Sequence, residues 1–203
     1  MVFWLALALI PWNQINVLCV IRDAAGRPAV NLRADQLQVF DAGVERPILS
    51  LQRDDSKPEV IRLENPPLLY DAVYLAVMRT FHRDSTRKIL VISGSHGDTV
   101  TEVRRWELAF LALRQHVVIF GLGASDSTVT SLANETGGRV ARSWNEIQSD
   151  LDAQYRLVAS PARLEPGAGR FSALEIRAPK GFQVTAPRDY YITPPWGLLV
   201  KIQ

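Results

Sequence analysis

Cysteine and histidine are scarce in this chain, which has one cysteine and three histidines among 203 residues. A single cysteine excludes an internal disulfide framework and any zinc site built on cysteine pairs. Cys19 lies in an apolar, strand-like stretch, so we expect a small buried hydrophobic side chain rather than a reactive thiol. The charges are nearly balanced, with 23 Lys and Arg against 21 Asp and Glu. Because the basic residues are scattered, the sequence predicts no nucleic-acid partner.

Long hydrophobic runs are absent except at the start, where Met1–Ile10 is continuously apolar. This run is too short to cross a bilayer, so we predict no stable membrane span. It resembles the central region of a signal peptide, with Ala6–Ala8 as a candidate cleavage motif, although no basic residue precedes it. Residues 1–14 are therefore interpreted as a signal-peptide remnant of a secreted, periplasmic or cell-envelope protein. The alternative is a first strand packed in the core.

The middle of the chain repeats one design, in which an apolar strand is followed by small polar residues and then by a helical pattern. Ile89–Ile92 and Val117–Phe120 are too short to be helix interiors and are typical of strands buried on both faces of a parallel sheet. Strand, loop and helix in this order predict right-handed βαβ units in an open sheet. Because ligands bind at the carboxyl ends of such strands, we expect any site to lie at Ser93–Thr99 and Gly121–Asp126.

Strand-like patterns also occur near both ends of the chain, and each set is too small to form a stable sheet by itself. The predicted fold is therefore α/β: a Rossmann-like open sheet with helices on both faces, at residues 55–153, inserted into a small β-sandwich built from residues 15–54 and 154–203. The predicted terminal strands are 15–21, 38–40, 46–51, 155–159, 173–178 and 183–186, and the predicted helices are 67–83, 103–116, 127–136 and 145–154.

Helical spacing of apolar residues predicts which helix faces are buried. Tyr74, Trp106 and Phe110 are expected to pack against the sheet, and Gly137 to end the third helix. In the first helix the predicted buried stripe consists of Leu68, Leu69, Ala72, Leu75, Ala76 and Met78.

The first loop reads Ser93-Gly94-Ser95-His96-Gly97, which resembles the turn that carries the nucleophile of serine hydrolases. A hydrolase would also need a histidine at the same edge of the sheet. His116 precedes the second strand and so belongs to the opposite edge, and His96 is too close to Ser95 to act as its base. We predict no catalytic residues, and a small serine hydrolase using Ser95 is an alternative only.

Polar residues of the two loops are candidate binding residues. They would be either ligands of an improvised metal or anion site or caps of the helices that follow. Isolated loop carboxylates usually cap a helix, which favours capping for Asp98. The candidates are Ser93, Ser95, His96, Asp98, Ser125 and Asp126.

Several short motifs occur in the same order in the bacterial von Willebrand factor A-related proteins, which the chain resembles from about residue 15 to residue 192. The resemblance implies a von Willebrand A-like α/β domain, no enzymatic activity, and protein–protein interaction or adhesion at the cell envelope. The matching motifs are the hairpin Val39–Gly43, the helix start Leu69–Ala72, the strand and loop Lys88–Thr99, the segment Leu132–Arg139, and the strands at Gln154–Leu157 and Arg188–Tyr191.

The residues that would hold Mg²⁺ in such a domain are changed here. The resemblance implies an Asp-x-Ser-x-Ser loop, a threonine in a second loop and an aspartate in a third. The first motif is missing, the threonine position falls on Pro67 and the aspartate position on Gly94. Because Mg²⁺ requires oxygen ligands in a strict geometry, we predict a degenerate metal site and no cofactor, with Mg²⁺ bound only if other loop residues rebuild the site.

The resemblance implies the first strands and the first helix of the domain between Leu51 and Pro66, where this chain has room for only one short strand, Pro58–Leu63. The resemblance places the absent strand beside Ile89–Ile92, so this edge is unpaired unless Val60–Leu63, a loop or another chain covers it. We predict that this sheet edge binds a protein partner, of unknown identity, or a second copy of the chain. The alternative is a vestigial module with a purely structural role.

Overall fold

The computed structural model describes residues 14–80, 87–94, 103–123, 126–160 and 170–192. Its helices are α1 (Leu69–Arg79), α2 (Arg105–Arg114), α3 (Ser127–Thr136) and α4 (Trp144–Asp152), with a short 3₁₀ helix at Ala34–Gln36. Its strands are β1 (Ile15–Asp23), β2 (Gln38–Asp41), β3 (Val44–Arg46), β4 (Ile48–Arg53), β5 (Glu59–Glu64), β6 (Lys88–Ser93), β7 (Val117–Leu122), β8 (Val140–Ala141), β9 (Gln154–Ala159), β10 (Arg170–Arg177), β11 (Phe182–Thr185) and β12 (Asp189–Ile192).

The central strands form a parallel four-stranded sheet in the order β5-β6-β7-β8. Alternate residues of a strand point to opposite faces of a sheet, and both faces are covered here. Leu90 and Ile92 pack with residues of α1, α2 and α3. Ile89 and Val91 pack with residues of α4 on the other face. The prediction of a parallel sheet with helices on both faces is confirmed.

Strands from both ends of the chain form two antiparallel sheets, in the orders β11-β1-β9-β4 and β12-β10-β2-β3. The two sheets share one core, in which Ile21 and Leu157 of the first sheet pack with Val39 and Leu174 of the second. The early and late strands are therefore partners, as predicted, because neither set has enough strands to bury its own apolar face.

The predicted buried stripe of α1 is confirmed at Leu69 and Ala76 and wrong at Leu68, Leu75 and Met78. The buried residues are Leu69, Val73, Ala76 and Val77, which follow the i, i+4, i+7, i+8 spacing of one helix face. Of the predicted set, Leu68, Leu75 and Met78 are exposed. Apolar residues occur all around this helix, so periodicity alone could not select the face that meets the sheet.

The expected core packing of the aromatic residues is also wrong. Trp106 is 59% exposed and Tyr74 is exposed. Phe110 packs outside the parallel sheet, edge-on against Phe171 and Tyr191, with ring centroids 5.0 and 5.4 Å away. The reason is that β10 and β12 of the antiparallel sheets cover the outer side of α2, a long-range contact that helical spacing does not predict.

A buried arginine joins the parallel sheet to the antiparallel part. Arg87 precedes β6 and is 5% exposed. Its Nε donates to Gln154 Oε1 over 2.7 Å and its Nη1 donates to the Ser56 carbonyl over 2.8 Å. Its Nη2 donates to the Leu151 carbonyl at the end of α4.

An ion pair lies in the same region. Asp54 accepts hydrogen bonds from Arg156 Nη2, over 2.8 Å, and from Ser56. Burial alone would raise the pKa of the Asp54 carboxyl, but these hydrogen bonds outweigh it and leave the pKa below its ordinary value.

Some predictions fall outside the described residues. These are the signal-peptide remnant, except for Gln14, and the loop residues Ser95, His96, Asp98 and Ser125. Within the described ranges, no helix is both long and apolar enough to cross a membrane.

Candidate functional site

The carboxyl ends of β5, β6 and β7 lie side by side, and this edge carries the predicted loops. Glu64 pairs with Ser93, and Ser93 pairs with Leu122, so the predicted candidate Ser93 is in the middle of the edge. Ser93 is half-buried. Asp126 begins α3 at the same edge.

Asn65 fills the space beside Gly94. The backbone N–H of Asn65 donates to the Ser93 carbonyl over 2.9 Å, and Asn65 has a φ of +47°. A Cβ atom at Gly94, where φ is +85°, would lie 2.0 Å from Asn65 Oδ1. Side chains essentially never tolerate so short a contact, so an aspartate at position 94 requires Asn65 to move. The sequence does not indicate this contact, because the two residues follow different strands and lie far apart along the chain.

Asp126 acts as a helix cap. Its Oδ1 accepts hydrogen bonds from the backbone N–H groups of Thr128, over 2.6 Å, and Val129, over 3.3 Å. These bonds satisfy N–H groups that have no partner within the helix. Among the described residues, no group of three or more His, Cys, Asp or Glu side chains is arranged to hold a metal ion.

The sequence left open what covers the edge at Ile89–Ile92. β5 pairs in parallel with the whole of β6, from Glu59 beside Lys88 to Glu64 beside Ser93. Of the possible coverings, pairing with Val60–Leu63 is therefore the one that forms, and the edge of the sheet is β5. This pairing satisfies backbone hydrogen bonds of β6, while residues of the helices cover its two faces.

The edge strand β5 carries charged residues. β5 carries Glu59, Arg62 and Glu64 among its apolar residues, and Arg62 lies over the Trp144 ring at 4.5 Å from its centroid. Charged side chains on an edge strand disfavour pairing with a further strand. This arrangement weakens the case for self-association through strand pairing.

The outer face of α1 is apolar and exposed. It consists of Leu68, Tyr74, Leu75 and Met78, which are between 37% and 56% exposed. Tyr74 and Met78 are four residues apart and Leu75 and Met78 are three apart, so Met78 is a neighbour of both on the helix surface, and Leu68 is the residue just before α1. Exposed apolar patches of this kind mark interaction sites in soluble proteins. The sequence contained the signal for this patch, because α1 has apolar residues on two opposite faces.

Cys19 is not part of any site. Its side chain is buried in the core shared by the two antiparallel sheets, as expected. Burial raises the pKa of the Cys19 thiol to about 12, which keeps it protonated at neutral pH and removes its nucleophilicity.

Comparison of the chain with protein-family models, with curated proteins and with solved structures found no match.

Proposed function

We propose that this chain is a non-enzymatic protein-interaction module of the cell envelope, of the von Willebrand A-like type, and that its partner binds the outer face of α1 without a metal ion. The observation that carries this proposal is the patch of four large exposed apolar side chains on one helix face. A helix that is apolar on both sides gains free energy when a partner covers the second side.

The arrangement at Gly94 supports a metal-independent mode of binding. The resemblance places a ligand aspartate at this position, and the Asn65 carboxamide occupies the space that its side chain would need. Pro67, at the threonine position, has no side-chain oxygen to offer. Binding would then rest on burial of apolar area rather than on a carboxylate that completes Mg²⁺ coordination.

The expected contribution of one side chain follows from its exposure. Complete burial of a leucine side chain stabilises by about 1.5–3 kcal/mol. Leu75 is 56% exposed, so covering it contributes about 1 kcal/mol, which is about fivefold in Kd. A charge at this position would cost more, because the partner would have to bury it.

The test compares Leu75→Glu with Leu49→Glu. Leu49 lies on β4 and is 53% exposed, so it controls for loss of an exposed leucine elsewhere on the molecule. Proteins captured from a cell-envelope extract by the tagged wild-type chain would be identified and quantified by mass spectrometry, with and without EDTA. We expect Leu75→Glu to abolish capture of the specific partner, and Leu49→Glu and EDTA to leave it unchanged.

Two results would contradict the proposal. If both variants capture the same proteins as the wild type, the outer face of α1 is not the binding surface. If EDTA abolishes capture, binding depends on a metal ion and the loops at the carboxyl edge are responsible. The oligomeric state of the wild type, measured by light scattering over a range of concentrations, decides whether the partner is a second copy.

A further inference from the structure

A cleft of about 450 Å³ separates the outer face of the β1–β11 pair from α4 and the turn between α3 and β8. Val20 and Arg22 of β1 pair with Thr185 and Gln183 of β11, so these four side chains share one face of the sheet. Across the cleft, Glu146, Ser149 and Asp150 share one face of α4. Volumes of this size are typical of small-molecule sites.

The charged groups of the cleft neutralise one another. Asp150, whose side chain is 3% exposed, accepts hydrogen bonds from Arg22 Nη2 over 2.5 Å and from Arg139 Nε over 2.6 Å. Arg139 Nη1 also donates to Glu146 over 3.0 Å. Two guanidinium groups therefore face two carboxylates, and the network carries no net charge.

Hydrogen-bonding capacity remains after these pairs are formed. Ser149 Oγ accepts from Arg22 over 3.1 Å, which leaves its own proton available to a ligand. Gln183 and Thr185 are exposed and offer an amide and a hydroxyl from the opposite wall. The carboxylate oxygens of Glu146 and Asp150 retain lone pairs. Donors and acceptors thus surround the cleft, and Val20 and Phe120, which also line it, are only 5% and 1% exposed.

We propose that this cleft binds a neutral saccharide. Sugar hydroxyl groups both donate and accept hydrogen bonds, which matches a mixed set of donors and acceptors. Hydrogen bonds to charged groups are stronger than those between neutral groups, so the paired arginines and carboxylates hold hydroxyls well. A charged ligand gains little, because each charge in the cleft already has a partner.

The cleft is separate from the surface proposed for the protein partner. α4 lies on one face of the parallel sheet, and α1 lies on the other. The saccharide site therefore does not depend on the proposed function.

The test is isothermal titration of the full chain with glucose, N-acetylglucosamine, maltose and cellobiose, and with sodium glucuronate and sodium phosphate as charged comparisons. We expect saturable binding of at least one neutral saccharide and weaker binding of both anions. The double variant Gln183→Ala, Thr185→Ala leaves the ionic network intact and should weaken binding at least tenfold. Gln52→Ala, which removes an exposed glutamine from β4 of the same sheet, should not change Kd.

Three results would overturn the proposal. The first is that every neutral saccharide has a Kd above about 10 mM, which corresponds to a binding free energy of only about −2.7 kcal/mol. The second is tighter binding of phosphate or glucuronate than of every neutral sugar, and the third is an unchanged Kd in the double variant. Thermal melting of each variant confirms that it is folded before it is titrated.

Discussion

Replacement of Arg87 by methionine should destabilise the fold strongly, because one buried guanidinium holds three segments together. It donates to the Gln154 side chain, to the Ser56 carbonyl and to the Leu151 carbonyl. Methionine has a similar length but donates no hydrogen bond. Two buried acceptors, Gln154 Oε1 and the Leu151 carbonyl, would then lose their donor in one substitution, together with the part-buried Ser56 carbonyl.

The magnitude follows from the cost of leaving buried polar groups without partners. Each such group costs about 1–3 kcal/mol, so the two buried acceptors cost about 2–6 kcal/mol before any relaxation, and water can reach the Ser56 carbonyl. Removing a buried guanidinium also removes its desolvation penalty, and this gain favours the lower end of the range. We therefore expect the free energy of unfolding to fall by about 2–3 kcal/mol, a large fraction of the total for a typical domain.

Urea denaturation followed by circular dichroism measures this change. Arg87→Lys is the matched control, since it keeps a positive charge but cannot reach three acceptors in three directions. It should fall between wild type and Arg87→Met. A loss below about 1 kcal/mol for Arg87→Met would refute the reasoning, because it would mean that water or rearrangement satisfies all three acceptors.

The remaining predictions concern Gly94, with Gly123 as its control, Cys19 and Asp54. Gly94→Ala should destabilise the fold more than Gly123→Ala, because both glycines have positive φ but only a side chain at position 94 collides with a neighbour, Asn65. In urea denaturation, Gly123→Ala should lower the free energy of unfolding by about 1 kcal/mol and Gly94→Ala by more. Equal losses would contradict the contact. Cys19 should not react with a thiol reagent at pH 8 in the native chain and should react fully in urea; rapid native labelling would show that the thiol is accessible. Asp54→Asn should lower the free energy of unfolding at pH 7, and the difference from wild type should become smaller below about pH 4. A carboxyl group whose pKa is lowered by folding stabilises the fold above its unfolded pKa and loses that effect as the pH falls through its folded pKa. A difference that does not change with pH would contradict the ion pair.

The class of the fold could be predicted because its strongest signals are local. Ile89–Ile92 alternates between two apolar faces, and a strand with no polar face must be covered on both sides. Gly137 ends α3 with a φ of +84°, where a glycine is favoured. Such features depend on a few consecutive residues, so no knowledge of distant contacts is needed.

The surfaces could not be predicted in the same way, because distant residues decide them. α1 has two apolar faces, and only contact with the sheet shows that Val73 and Val77 are buried while Leu75 is exposed. The bond between Arg22 and Asp150, which builds the proposed saccharide cleft, joins residues 128 positions apart. Neither residue belongs to a motif, so the sequence carried no signal for this site.

Gly94, the position at which the resemblance would place a ligand aspartate, is coupled to the strand beside it. β5 pairs with β6, and the residue that follows β5 is Asn65. Its backbone N–H is bonded to the Ser93 carbonyl, which holds its carboxamide next to Gly94. An aspartate introduced at position 94 would meet this carboxamide before it could meet a metal ion. The single substitution Gly94→Asp should therefore fail to create Mg²⁺ binding, and space for a ligand would open only after Asn65 is also replaced.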